Sequence, residues 1–472
     1  MSSPPQPTMR TWANAVPRFL QGSRDFVDAL AATSPARLAI VVFALVIALF
    51  TSILSLPAAS SSGEFTPLHD ALFTATSAVC VTGLTVVSTA AHWSFFGQVV
   101  IIVGIFIGGL GILTLASLLS LAVSKRLGVR GKLRAQEAMN IQNVGRLGEV
   151  GTLLRVVITT SVTIEALLAL ALSPRFLILG EPLGQAVWHG VFYAISAFNS
   201  AGFTPHSDGL VPYETDLWVL VPITIGAIIG SLGFPALMVL IVFRGKFRKW
   251  TLHTKLTVVV SGILLLVGSL GWGLLEWNNP QTIGGMSVSD KLIHSFFSST
   301  MTRSTGFNLV DQNQLEAPTM LLTDALMFAG GGSASTAGGI KVTTIAVMFL
   351  AIVAEARGDS DIKAFGRRIP EGTMRVAISV VVLGATLVSV GAGLLLGISG
   401  EPLDRVLFDS ISAFATVGLS TGLAAELPPE GKYVLSALMF AGRVGTITLA
   451  TALSLRQRNQ LYHYPEERPI IG

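Results

Sequence analysis

Cysteine is all but missing from this chain. A single one, Cys80, stands among 472 residues, which excludes an intrachain disulfide and leaves a small buried filler as its expected role. Charge is scarce too: Asp, Glu, Lys and Arg make up 12% of the residues, where soluble proteins carry roughly a quarter. So little charge cannot cover the two or three soluble domains that this length would otherwise suggest. No His, Cys and Glu group shows metal-ligand spacing and no nucleophile stands beside a base, so neither an enzyme site nor an organic cofactor is expected. The first residues, Met1 to Ala36, carry Arg10, Arg18 and Arg24 but no apolar core followed by a small-residue cleavage site. That excludes a secretory signal and predicts a cytosolic extension. The net charge of +4 says little by itself, and no nucleic-acid partner is expected.

What the chain has in quantity is apolar surface. Hydrophobic residues make up 51%, mean hydropathy is +0.68, and there are 48 glycines. This is the composition of an all-α integral membrane protein with closely packed helices. A spanning helix needs about 20 apolar residues to cross roughly 30 Å of hydrocarbon. Leu38 to Leu56 and Val99 to Val123 meet that length, with the shorter run Pro67 to Val79 between them. The same order of long, half-length and long recurs three times. The second copy uses Val156 to Leu172, Gly184 to Phe198 and Leu217 to Phe243; the third uses Leu256 to Leu275, Asp290 to Met301 and Thr319 to Val353. The fourth uses Val376 to Ile398, Pro402 to Thr416 and Tyr433 to Leu453. An internal repeat of about a hundred residues follows, with eight spanning and four re-entrant helices. The copies are bounded as 38–130, 131–250, 251–360 and 361–472, after the extension 1–37.

A glycine turn closes every half-length run: Val81-Thr82-Gly83-Leu84, Ser200-Ala201-Gly202-Phe203, Ser304-Thr305-Gly306-Phe307 and Thr416-Val417-Gly418-Leu419. A glycine and then a large apolar residue recur in each. Irregular backbone at membrane depth must be buried in protein or line a water-filled cavity, so four such turns at matching depth are expected to share one axis. Lys125, Arg126, Arg130, Lys132, Arg134, Arg146 and Arg155 lie between the first two copies; Arg244, Lys246, Arg248, Lys249 and Lys255 lie between the next two. Arg357, Lys363, Arg367, Arg368 and Arg375 lie before the last. The half-helix sides carry acids instead, among them Asp70, Asp208, Asp324, Glu401 and Glu426, with His69 and Asp70 expected on a solvated face. The positive-inside rule then puts both termini and the basic connections in the cytosol and lets the half-helices enter from outside. Their C-terminal, negative dipole ends point inward and favour a cation, and converging carbonyls can replace the water shell of a monovalent ion.

Two features interrupt the long helices. The third copy holds Gly330, Gly331, Gly332, Ser333, Ala334, Ser335, Thr336, Ala337, Gly338, Gly339, Ile340 and Lys341. Each helical glycine costs about 1 kcal/mol relative to alanine, so a loop is expected at membrane depth, with the pore as its cavity. It lacks the preceding strand and the Gly-Lys-Ser/Thr ending of a phosphate-binding loop. Lys341 either lies near the pathway or snorkels to the cytosolic interface. Arg443 falls inside the last spanning run, where a charge is functional by default; a salt bridge to Glu165 is the structural alternative.

These turns and the Ser335-Thr336-Ala337-Gly338-Gly339-Ile340-Lys341 run resemble the Trk/Ktr/HKT superfamily of potassium transporters, and within it the KtrB-type membrane subunits, from Leu38 to the C-terminus. The short start ahead of Leu38 fits that type better than the longer TrkH type. The resemblance implies four helix–pore-loop–helix units around a central, potassium-channel-like pore. It implies a potassium filter made by the carbonyls of Val81, Thr82 and Gly83, of Asn199, Ser200, Ala201 and Gly202, of Ser304, Thr305 and Gly306, and of Thr416, Val417 and Gly418. It implies a gate formed by the Gly330–Lys341 loop beneath that filter, with Ser333, Ser335 and Thr336 facing water or ion and Arg443 lining the pore. Arg303 is expected to bond carbonyls at the end of its half-helix. Further implications are K+ as cargo with Na+ as a candidate activator, a homodimer in the plasma membrane, contact with lipid headgroups, and a ring of cytosolic nucleotide-binding (KtrA-like) regulatory subunits. The alternative class is a secondary solute transporter with a midplane site. Such proteins pair broken helices across two halves, whereas here the third copy alone is expected to be broken.

Overall fold

The computed structural model describes residues 35–111 and 147–445. The expected cytosolic extension, the basic residues from Lys125 to Arg146 and the end of the last spanning run lie outside the described residues. The described chain is helical, apart from a two-residue antiparallel pair between β1 (Lys363–Ala364) and β2 (Arg367–Arg368), with Lys363 opposite Arg368.

The helices α1 (Pro35–Leu54), α2 (Leu68–Val79) and α3 (Phe95–Gly109) come first. Next are α4 (Leu147–Ile178), α5 (Leu183–Phe198), α6 (Leu217–Leu232) and α7 (Phe234–Phe243). Then come α8 (Leu252–Glu276), α9 (Val288–Met301), α10 (Ala317–Phe328) and α11 (Val342–Ala356). Last are α12 (Glu371–Ser399), α13 (Leu403–Ala415) and α14 (Pro429–Phe440), which runs into a wider π-turn at Ala441–Gly445.

Local chemistry sets where the short helices begin. α2, α5 and α13 each start directly after a proline, Pro67, Pro182 or Pro402, whose fixed φ suits a chain about to enter a helix. α9 instead uses Ser287, whose hydroxyl accepts the Asp290 amide at 3.3 Å, satisfying one of the first-turn donors. With 12, 16, 14 and 13 residues, these four helices rise only about 18–24 Å and fall short of a full crossing.

Among the described residues, three segments are long and apolar enough to cross a membrane unaided: Arg155–Ile178, Leu252–Glu276 and Gly372–Ser399. The expected runs Val99 to Val123 and Tyr433 to Leu453 extend beyond the described residues, and α10 stops where the glycine loop begins.

One break corrects the sequence expectation. The run Leu217 to Phe243 is not a single helix: α6 and α7 meet at Gly233 (φ +88°) with a bend of 102°. Pro235 has no amide to return to the Ser231 carbonyl. That carbonyl accepts the Gly332 amide at 2.8 Å instead, and Ala334 accepts the Phe234 amide at 3.2 Å. The glycine loop of the third copy is thus stitched into the break of the second, so breaks occur in two copies and not one.

The layering is that of a protein in lipid. α4, α8 and α12 leave Leu167, Leu170, Leu266, Leu274, Val382 and Leu394 exposed, whereas the short helices bury Phe73, Phe192, Phe198, Phe297, Phe408 and Phe414. Apolar side chains outside and a helix-end core inside are favourable where the solvent is hydrocarbon. Nor does Asp70 belong to a solvated face. It is buried and accepts a hydrogen bond from Lys432 at 2.7 Å, because α2 packs on α14 and the two charges meet where water is excluded.

Candidate functional site

The four short helices end on turns with one shared backbone pattern. In each turn a residue with positive φ is followed two positions later by a glycine with positive φ. The pairs are Val81 (56°) and Gly83 (93°), Ser200 (59°) and Gly202 (72°), Ser304 (95°) and Gly306 (70°), and Thr416 (50°) and Gly418 (98°). Positive φ in a β-branched residue such as Val81 or Thr416 is a true outlier, held only where the surroundings fix it. Amides just past each helix reach back into it. Thr82 bonds the Ser77 carbonyl at 2.8 Å, Ala201 that of Ser196 at 2.8 Å, Gly306 that of Met301 at 3.2 Å, and Val417 that of Ser412 at 2.9 Å. The Ser77 and Ser412 hydroxyls accept the Gly83 and Gly418 amides, both at 3.1 Å.

The turns then close on one another in chain order. A Cβ on Gly83 would lie 2.1 Å from the Ala201 carbonyl oxygen, and one on Gly202 would lie 2.4 Å from that of Thr305. One on Gly306 would lie 2.2 Å from the Val417 oxygen, and one on Gly418 would lie 2.2 Å from that of Thr82. The residue touched is each time the one before the next glycine, so the four contacts make a cycle. No side chain fits at any of the four positions. Val81, Thr82, Ser200, Ala201, Thr305 and Val417 are buried, and among the described residues no hydrogen bond reaches their carbonyl oxygens. Buried carbonyls are rarely left without a partner.

The loop 329–341 lies directly against this ring. Thr336 Oγ1 is 3.0 Å from Ser200 Oγ and donates to the Phe198 carbonyl at 3.2 Å. Ser304 Oγ accepts the Gly338 amide at 3.2 Å and donates to the Thr416 carbonyl, also at 3.2 Å. Gly338 leaves no room for a Cβ beside Thr416. Three of the four positive-φ residues ahead of the glycines therefore touch the loop.

Arg443 is buried and donates to the Thr336 carbonyl and, at 2.7 Å, to that of Gly108. The guanidinium so joins the loop to the ends of α3 and α14. Glu165, the alternative partner, accepts instead from Asn199 Nδ2 at 2.7 Å.

Other expected site residues fall as follows. Asn199 is the last residue of its helix turn and stands one position ahead of the alternating backbone, with its side chain on Glu165 and not on the ring. Ser333 bonds Thr343 at 2.8 Å and ties the loop to the start of α11, whereas Ser335 donates to the Gly332 carbonyl at 2.6 Å and ties the loop to itself. Lys341 turns back onto the Ala337 and Gly338 carbonyls at 2.6 and 3.2 Å and holds the loop instead of snorkelling away. Arg303 does not bond carbonyls at the end of its own helix, as expected from the sequence. It donates to the Ser261 carbonyl and hydroxyl on α8, both at 2.7 Å, because α8 packs along α9 and brings Ser261 to the buried guanidinium. Cys80 is a buried free thiol.

Sequence spacing missed one cluster. Glu181, His189 and His206 come from the α4–α5 link, α5 and the loop after the second glycine turn. Glu181 Oε2 lies 2.7 Å from His189 Nδ1, and Oε1 lies 3.0 Å from His206 Nε2. Burial lowers the His206 pKa, and the hydrogen bond to Glu181 pulls it back upward. Spacings of 8 and 25 residues match no metal motif, and only the turn at Gly202 folds the third residue back.

Comparison with known proteins places these elements in a family. Residues 13–462 match the family described as Cation transport protein (TrkH). The chain is 36% identical over 422 residues to the Ktr system potassium uptake protein B of Vibrio alginolyticus, covering 89% of this chain and 91% of that one. It is 34% identical over 447 residues to the potassium/sodium uptake protein NtpJ of Enterococcus hirae, covering 93% and 97%. The crystal structure of the potassium transporter TrkH from Vibrio parahaemolyticus superposes with a TM-score of 0.64 at 19% identity, over 86% of this chain and 83% of that one. At that identity the superposition speaks for the fold alone.

Proposed function

The chain belongs to the TrkH family of cation transport proteins, which are transporters and not enzymes, and from that premise we propose that it takes up potassium through the ring of four glycine turns. The single observation that carries this reading is the closed cycle of Gly83, Gly202, Gly306 and Gly418 against Ala201, Thr305, Val417 and Thr82. Around it lie buried carbonyls that no donor among the described residues satisfies. A dehydrated monovalent cation is the partner such oxygens lack. With no carboxylate in any turn, the ring suits K+ better than a divalent ion, and the names of the two relatives agree.

In this reading the copies at 38–130, 131–250, 251–360 and 361–472 each contribute one re-entrant helix and one quarter of the filter. The loop 329–341 is the gate: Thr336 sits under the second turn, Gly338 sits against Ser304 of the third turn and Thr416 of the fourth, and Arg443 holds the loop closed while adding a positive charge below the filter. The half-helices enter from outside the plasma membrane and both termini are cytosolic. A homodimer on a cytosolic ring of nucleotide-binding subunits, with Na+ as activator, would relieve the Arg443 latch. The Ktr system relatives support such a partnership.

The second break, at Gly233, removes one argument against a midplane solute transporter. It does not favour that class, because the two breaks lie in consecutive copies and bond to each other instead of facing each other across two halves. Rubidium uptake into liposomes containing the purified chain tests the proposal. Uptake that potassium competes away is expected; no uptake with or without sodium, nucleotide and regulatory subunits would sink it.

A further inference from the structure

We propose that Glu181, His189 and His206 form a binding site for a zinc-class divalent cation on the side of the protein where the half-helices begin. The three side chains are only 17%, 17% and 19% exposed, and their ligand atoms all lie within 4.8 Å of one another. Two imidazole nitrogens, one carboxylate oxygen and an open fourth position are the donor set of many four-coordinate zinc sites. In such a site neighbouring ligand atoms stand about 3.3 Å apart, as bonds near 2.0–2.1 Å require. Here Glu181 Oε2 lies 2.7 Å from His189 Nδ1 and Oε1 lies 3.0 Å from His206 Nε2, so the side chains rearrange within their 4.8 Å span to admit the ion.

The surroundings supply a reason for the ion beyond the cluster itself. Tyr193 Oη lies 2.9 Å from His206 Nδ1 and donates to the Gly209 carbonyl at 3.2 Å. A hydroxyl has one proton, so when it goes to Gly209 the oxygen accepts from Nδ1–H. That leaves Nε2, 3.0 Å from Glu181 Oε1, as the nitrogen that would take the metal bond in place of its hydrogen bond to the carboxylate. An imidazole oriented through its far nitrogen is the usual arrangement around a metal. Tyr213 Oη, 3.2 Å from His206 Nε2, lies beside the open position. Glu181 and Tyr213 also line a cavity of about 600 Å³ with Arg175, Asp216 and Trp218, which provides a path for the ion. Arg175 is occupied by Asp216 at 2.7 Å and leaves the Glu181 charge to the metal.

The donor set separates zinc-class ions from the transported one. Imidazole suits zinc, cobalt and nickel, whereas K+ takes oxygen ligands. The site is thus distinct from the carbonyl ring and does not depend on transport. A chain that carried no rubidium would fail the functional proposal and still be expected to bind zinc.

The test uses full-length protein purified without a histidine tag. Equilibrium dialysis against zinc is expected to show one ion per chain at micromolar concentration. Substituting cobalt(II) is expected to give the intense visible bands of a four-coordinate ion. His189→Ala and Glu181→Gln should abolish binding, and Tyr193→Phe should weaken it by about 10–100-fold, the usual effect of losing an orienting partner. Size-exclusion profiles identify any variant that fails to fold, and the cobalt spectrum of the unaltered chain needs no variant. Zinc binding far below one per chain, a cobalt spectrum of the six-coordinate aqueous type, or binding that persists in folded His189→Ala would overturn the proposal.

Discussion

Asp70 and Lys432, separated by 362 positions in sequence, meet at 2.7 Å between the first half-helix and the last long one. The pair closes the molecule upon itself on the half-helix side, as the Gly418–Thr82 contact does within the ring. Both side chains are about nine-tenths buried, so removing one strands the other. Lys432→Met alone is expected to destabilise the protein by about 3–5 kcal/mol, whereas Asp70→Asn with Lys432→Met should recover most of that loss. Thermal unfolding in detergent measures both. A single variant as stable as the parent would show that the pair does not hold the ring closed.

Arg443→Gln removes the guanidinium that joins the Thr336 and Gly108 carbonyls. Basal rubidium flux should rise several-fold without any regulatory subunit, since the loop keeps its bonds to α6 but loses its latch. Thr336→Val, which loses the contacts to Ser200 and Phe198, should act in the same direction. Flux unchanged in both would remove the gate assignment and leave the filter untouched.

Gly233→Ala probes the stitched break. Its φ of +88° and the Ser333 carbonyl 2.6 Å from any Cβ make alanine costly by about 1–2 kcal/mol from backbone strain alone. The damage should appear as a weakened gate, with raised basal flux, because the loop loses its seat on α6. Lower stability with normal gating would mean that the break serves packing only.

These positions also show how much was legible in the sequence. The four half-helices and their glycines could be located because short apolar runs, each closed by a glycine turn, recur about every hundred residues, and each signal is local. The glycine-rich break was legible for the same reason. Gly233 escaped because a lone glycine before Phe234-Pro235 reads as an ordinary kink; its helix end is satisfied by Gly332 and Ala334, a hundred residues away. Asp70 looked solvated because its partner is 362 residues distant, and Arg303 was assigned to its own helix because Ser261 cannot be found from spacing. The Glu181, His189 and His206 cluster belongs with these: burial and charge pairing depend on what the fold brings near.

Gly418→Ser sets a side chain against the Thr82 carbonyl, where a Cβ already lies at 2.2 Å. The ring must spread, and carbonyls held farther apart lose their match to a dehydrated potassium ion. Preference for rubidium over sodium should fall at least tenfold in competition assays, and Gly83→Ser should do the same. An unaltered preference in folded variants of both would place selectivity elsewhere.

Anomalous diffraction from crystals grown in rubidium shows most directly whether the buried carbonyls of the four turns hold a cation. A rubidium peak is expected on the axis enclosed by the Thr82, Ala201, Thr305 and Val417 oxygens. A well-ordered ring without such a peak, with rubidium bound only at side-chain carboxylates, would contradict it.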